Sequence, residues 1–112
     1  MSLEKRRLWL EKVLEDVLGT RNVYFQPPSS IQMSYPCIVY SYEDLVSIHA
    51  NNAGYIDRDR YTVTLITKDP MPEETLEKLN AIPYTSCDRH YASENLHHFA
   101  FTTHLFERTQ NG

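Results

Sequence analysis

Four of the chain's five histidines, one of its two cysteines and an aspartate fall within residues 85–106, TSCDRHYASENLHHFAFTTHLF. Imidazoles and a thiolate with a carboxylate can bind zinc and activate water. A thiolate beside an imidazole can act as a nucleophile. The same residues can also simply line the wet side of two strands. Spacing separates these options. If residues 96–107 form a strand, Phe99, Phe101, Thr103 and Leu105 share one face while His98, Ala100, Thr102 and His104 share the other. His98 and His104 then stand roughly 20 Å apart at ~3.4 Å per residue, which one ion with ligand bonds of about 2 Å does not bridge. His97 and His98 point to opposite faces and do not chelate as a pair. On the preceding strand Cys87 and His90 fall on opposite faces, and His90 shares its face with Asp88. A cross-strand pair such as His90 with His98 stays open, because opposed residues lie within ~5.5 Å. The favoured expectation is a hairpin with its polar positions opposite Phe99 and Phe101, holding neither metal nor cofactor.

Nucleophilic catalysis has little more support. Cys37 lies among Pro36, Ile38 and Val39, where a buried thiol is an inert small hydrophobe. Cys87 has Asp88 and Arg89 nearby but no glycine-rich turn or helix N-terminus to activate it. The three glycines, Gly19, Gly54 and Gly112, stand in neither a GxGxxG nor a GxxxxGK pattern, so no phosphate cradle is indicated. No catalytic residue is expected. The densest charge alternation is DRDR at residues 57–60, which reads either as a solvated loop end paired with itself or as a charged protein interface.

With 112 residues the chain supports one core and one domain, residues 1–112. Eight tyrosines and four phenylalanines lean towards sheet. A formal net charge of −4 speaks against a chain whose main work is neutralising phosphates, so no specific nucleic-acid binding is expected. The N-terminal MSLEKRRLWLEKVLEDVLG alternates charge with leucine and suits neither a signal peptide nor a membrane span. The expected place is the cytoplasm in which the chain is made. Cys37 and Cys87 lie 50 residues apart in no CxxC motif and are expected to remain thiols.

The remaining elements must position the hairpin. Residues 3–18 read as an amphipathic helix closed by Gly19, with Leu3, Leu10, Val13, Leu14 and Val17 on one stripe flanked by Trp9 and Leu18. Its other side is charged, and Leu8 interrupts that charged face. VYFQ, before Pro27 and Pro28, is a short strand at best. CIVYSYED, after Pro36, reads as a central strand with Cys37, Val39 and Ser41 on one side and Ile38, Tyr40 and Tyr42 on the other. Residues 43–59, EDLVSIHANNAGYIDRD, show no sustained period and read as a long loop, a kind more often functional than decorative. RYTVTLITKD returns to strand, with Tyr61, Val63 and Leu65 sharing a face. Asp69, Pro70, Pro72, Glu73 and Glu74 then start a short helix ending at Ile82, with Leu76, Leu79 and Ile82 buried. Strands at 84–91 and 96–107 follow, and 107–112 is expected to be a flexible tail. The fold class is α+β: a mixed or antiparallel sheet packed against an N-terminal helix and a second short helix, in the order α-β-β-loop-β-α-β-β.

Taken together, RLWLEKVLEDVLGTRNVYFQPPSSIQMSYPCIVYS, YIDRDRYTVTLITKDP and CDRHYASENLHHFAFTTHLF resemble a family of small proteins from phages and prophages of Gram-positive bacteria. Its members are encoded among head-completion and tail genes and described as tail-completion, tail-terminator or head-tail joining proteins. The resemblance spans residues 7–106. It is carried by the LEKVLEDVLG helix, the QPP break, the Tyr35 to Tyr40 strand and YTVTLITKDP, all of which bear on fold and none on catalysis. It implies a virion structural protein without enzymatic activity or cofactor, working as a ring-like homo-oligomer where the tail meets the head and assembled in the host cytoplasm. Its partners would be the tail-tube protein and the head-completion or connector proteins, with no membrane involved. On this resemblance the interface residues would be Leu8 on the helix, Ile48, His49, Asn51, Asn52, Tyr55 and Ile56 in the loop, and Arg58 and Arg60 in DRDR. Substitutions across 44–59 are then expected to leave the monomer folded, within about half a kcal/mol, while blocking assembly. Two rivals stand beside it: a small host α+β binding or regulatory module with a preformed pocket, and a metal-dependent hydrolase using the hairpin histidines with Asp88. Purified protein is expected to carry no stoichiometric zinc; zinc that disappears in His90→Ala or His98→Ala would favour the hydrolase.

Overall fold

The computed structural model describes residues 2–49 and 55–109. Among them the elements run α1 (Leu3–Leu18), β1 (Val23–Phe25), β2 (Cys37–His49), β3 (Tyr55–Thr67), α2 (Glu73–Asn80), β4 (Thr85–Ser93) and β5 (Leu96–Thr109). The strands form one mixed sheet in the order β1-β2-β3-β5-β4, with β1 parallel to β2 and the other neighbours antiparallel. The fold is α+β, with the helices and one face of the sheet enclosing a common core.

Local chemistry sets the ends of α1. The Ser2 hydroxyl accepts the Lys5 N–H at 3.2 Å, and the Gly19 N–H donates to the Glu15 carbonyl at 2.8 Å from φ 80°, a left-handed conformation that favours glycine. Leu10 and Leu14 from α1 and Leu79 from α2 are fully buried against Ile38 and Tyr40, Tyr61, Val63 and Leu65, and Phe99, Phe101 and Leu105. Along each strand these are alternate residues, as a sheet with one face on helices requires. The opposite face buries a smaller patch, Cys37, Ile66 and Ala100.

The long loop expected at residues 43–59 is instead a hairpin. Strand β2 runs to His49 and β3 starts at Tyr55, paired continuously from Asp44↔Arg60 to His49↔Tyr55, and only residues 50–54 lie outside the described ones. A β-bulge between Tyr42 and Asp44 hides the strand in the sequence, because the extra residue, Glu43, reverses the in/out parity partway along. Strand β2 is also less central than expected: β3 holds the middle of the sheet, and β1 pairs with β2 only at Ile38, Val39 and Tyr40. Strand β5 continues to Thr109, so residues 107–109 extend the sheet where a flexible tail was expected. Helix α2 stops at Asn80, short of Ile82.

Length then shapes the molecule. The 13 residues of β2 and of β3 reach ~43 Å at ~3.3 Å per residue, whereas the 16 residues of α1 reach ~24 Å at ~1.5 Å. The body measures 52 × 27 × 22 Å. The ends of β2, β3 and β5 therefore project beyond the helices as a three-stranded arm. Arg6 ties α1 to its base. Its Nε donates to Asp59 Oδ2 at 2.5 Å, its Nη2 to Asp59 Oδ1 at 3.1 Å and its Nη1 to Glu107 Oε2, with Asp59 wholly buried. The side-chain hydrogen bond to Asp59 raises the proton affinity of the guanidinium further.

The expectation that changes at 44–59 are harmless therefore fails at Asp59. Asp59→Ala takes from the buried Arg6 guanidinium its fully buried counter-ion, leaving Glu107, and should cost about 3–5 kcal/mol, comparable to about 2–5 kcal/mol for Leu14→Ala or Phe101→Ala. Arg58→Ala, on the wet face, should stay within about 1 kcal/mol. Urea unfolding curves of the four variants test this ranking.

Candidate assembly interface

Strand alternation divides DRDR between the two faces of the arm. Asp57 and Asp59 face the helix side, where Asp57 Oδ1 accepts from Ser47 Oγ at 2.8 Å. Arg58 and Arg60 face the other way, and both reach Asp44, Arg58 Nη2 to Oδ1 at 3.0 Å and Arg60 Nη2 to Oδ2 at 2.9 Å. The motif is thus not paired with itself. Its arginines share one carboxylate from the neighbouring strand. His104 is the cross-strand partner of Arg60. Arg58 Nε, Arg60 Nε and His104 Nδ1 are buried without a hydrogen-bond partner among the described residues. Burial foremost, and then the Arg58 and Arg60 charges, hold the His104 pKa below its ordinary value.

The expected interface residues fall in two places. Ile48↔Ile56 and His49↔Tyr55 are register pairs at the tip of the arm, and Arg58 and Arg60 follow on its outer face. Asn51 and Asn52 lie outside the described residues. Leu8 is exposed on α1 and lines neither hollow described below.

The sequence reading missed an apolar groove of about 300 Å³ between α1 and the end of β5, walled by Trp9, Ile82, Pro83, Tyr84, Leu105 and Phe106. Tyr84 is 69% exposed and meets Phe106 edge-on, with centroids 4.7 Å apart. The Tyr84 carbonyl accepts the His104 N–H at 3.1 Å, and its φ of 58° turns the chain off the sheet at that point. A second hollow of about 460 Å³ lies at the start of α1, between Leu3, Arg7, Phe25, Gln26, Tyr42 and Tyr61. Arg7 donates there to Tyr40 Oη at 3.0 Å, and Tyr40 donates in turn to Glu11 at 2.9 Å. Burial pushes the Tyr61 phenol's pKa up to about 12.

The histidine hairpin departs from expectation for one local reason. A bulge between Cys87 and Arg89 inserts Asp88, so Cys87 opposes Phe101 and His90 opposes Phe99, both on the helix side. His90 therefore shares a face with Cys87 and not with Asp88, which accepts from Thr102 Oγ1 on the far side. His90 stacks on Phe99 at 4.3 Å and contacts His97 at 3.2 Å between ring nitrogens, while His98 stacks on Tyr91 at 4.7 Å. The His90 and His98 pair that strand spacing left open does not form; His90 meets His97 instead, on the Phe99 side, where simple alternation already places His97. Among the described residues, no three of His, Cys, Asp or Glu converge as ligands. Burial pushes the Cys37 thiol up to about 11, consistent with an inert core residue.

No family model and no curated protein matches the chain. Among the described residues no helix is long and apolar enough to cross a membrane.

His98, like His104, is held below its ordinary pKa, by burial first and by His97 second. Both bind a proton less readily folded than unfolded, where the value is near 6.5. Stability is therefore expected to fall as pH drops through ~6.5. His98→Gln and His104→Gln should each flatten that dependence in unfolding curves collected at about pH 7.5 and about pH 5.5.

Proposed function

We propose that this protein is a non-enzymatic phage assembly protein. It works as a ring of identical copies that completes or terminates the tail tube and joins it to the head connector. The observation that supports this reading is the projecting arm, whose apolar side chains Leu45, Val46 and Phe106 remain exposed in one chain and suit burial against a neighbour. The phage setting comes from the resemblance of the α1, β2 and β3 segments to tail-completion proteins. The net charge of −4 fits a ring around a channel through which DNA must pass without being held. On this reading the protein resides at the head-tail junction of the virion, its partners being itself, the tail-tube protein and the connector, and it needs no cofactor.

The apolar groove beside Trp9 and Tyr84 favours a second reading, a small host α+β binding module that takes a ligand there. Light scattering on a size-exclusion column, with and without the neighbouring tail-tube protein, separates the two. Rings, or capture on tube ends, are the expected result. A monomer indifferent to tubes under all conditions would favour the binding module.

A further inference from the structure

The structure assigns a zinc-binding site to the β4–β5 hairpin, with His90 Nε2 and His97 Nδ1 as its two protein ligands. The hairpin fixes where they stand. Glu94 and Asn95, the two loop residues, have φ 54° and 65°, as a tight type I′ turn requires, and Ser93 opposes Leu96 across it. His90 then opposes Phe99. His97 lies two residues before Phe99 on β5, so it shares that face and is the diagonal neighbour of His90. The His90 ring lies flat on Phe99, with centroids 4.3 Å apart and 3° between the planes, and Phe99 is itself buried. One ligand is thus held in place before any ion arrives.

The spacing of the nitrogens selects the ion. They stand 3.2 Å apart. With bonds of about 2.0–2.1 Å, a tetrahedral ion wants its nitrogens ~3.3 Å apart, whereas a square-planar or octahedral ion wants ~2.9 Å. Zinc is the tetrahedral ion that imidazole suits. In the metal-free pair one nitrogen carries the proton that the other accepts. On binding, that ring takes its other neutral tautomer, so both lone pairs face the ion and no net proton is lost. A modest turn about χ2 of His97, a soft torsion, brings its lone pair into line.

Two protein ligands leave two tetrahedral positions, and because His90 is exposed they open to water or to a donor from another molecule. His98 stacks on Tyr91 on the opposite face, which His104 shares, so neither reaches this ion. Asp88, the carboxylate that a zinc hydrolase would need beside the ion, is engaged by Thr102 on the far side. The hairpin therefore binds an ion without placing Asp88 next to it. This site does not rest on the assembly role proposed above.

Calorimetric titration of the metal-free protein with zinc chloride tests the assignment. One ion per chain should bind with a Kd below ~1 mM, and His97→Ala should weaken binding at least about tenfold. His90→Ala should do the same, but it also uncovers Phe99. His97→Ala leaves that stacking intact and so carries the test, with urea unfolding verifying its fold. His98→Ala and Cys87→Ser should keep the affinity within about twofold of the original. No binding up to ~1 mM zinc, equal affinity in His97→Ala, or loss in Cys87→Ser or His98→Ala overturns the proposal. Ring formation and tube capture are read without zinc, so a failed titration leaves the assembly reading standing. A monomer that ignores tubes yet binds zinc through His97 leaves the site standing and removes the phage role.

Discussion

Arg6 and Asp59 meet where α1 crosses the base of the arm, and the remaining architecture depends on that ion pair. A carboxylate with no exposed surface is tolerable only when its charge is met at close range by a forked partner, here Nε and Nη2 of a single guanidinium. Such a pair is a weak source of net stability, since desolvation offsets much of its attraction. Its consequence is positional. With Glu107 on the same guanidinium, α1, β3 and β5 are held in one geometry at the point where the hydrophobic core ends. Beyond it the sheet continues without a helix to cover it.

The arm is an outcome of strand length exceeding helix length. Its faces are made compatible with water by alternation: Asp57 and Ser47 on one side, Asp44 with Arg58 and Arg60 on the other. The two bulges, at Glu43 and at Asp88, reset which residues face the helices, and each redirects side chains that would otherwise lie elsewhere. At Asp88 the reset brings His90 over Phe99, where its ring lies flat as a polar cover on an aromatic core residue.

The apolar groove lies beside the end of β5 that β4 leaves uncovered because one local feature creates both. The chain coming from α2 joins the sheet only after the left-handed Tyr84, so β4 starts opposite Thr103 and leaves the flank of β5 beyond it, and the ring of Phe106, uncovered by a strand.

Several elements were legible in the sequence because their causes are local. The leucine and valine spacing with Gly19 at its end gave α1, alternation gave the buried faces of β3 and β5, and prolines with paired acids marked the start of α2. The hairpin at 43–59 was not legible, because a bulge is a property of the pairing between two strands and leaves only broken periodicity in either one. Nor was Asp59: within DRDR it is indistinguishable from Asp57, and its burial depends on an arginine 53 residues away. The groove, likewise, joins Trp9 to Tyr84 and Phe106 only once the chain has folded. Local period and capping are written in neighbouring residues, whereas desolvation, register and free edges exist only between segments distant along the chain, and the tertiary structure alone decides them.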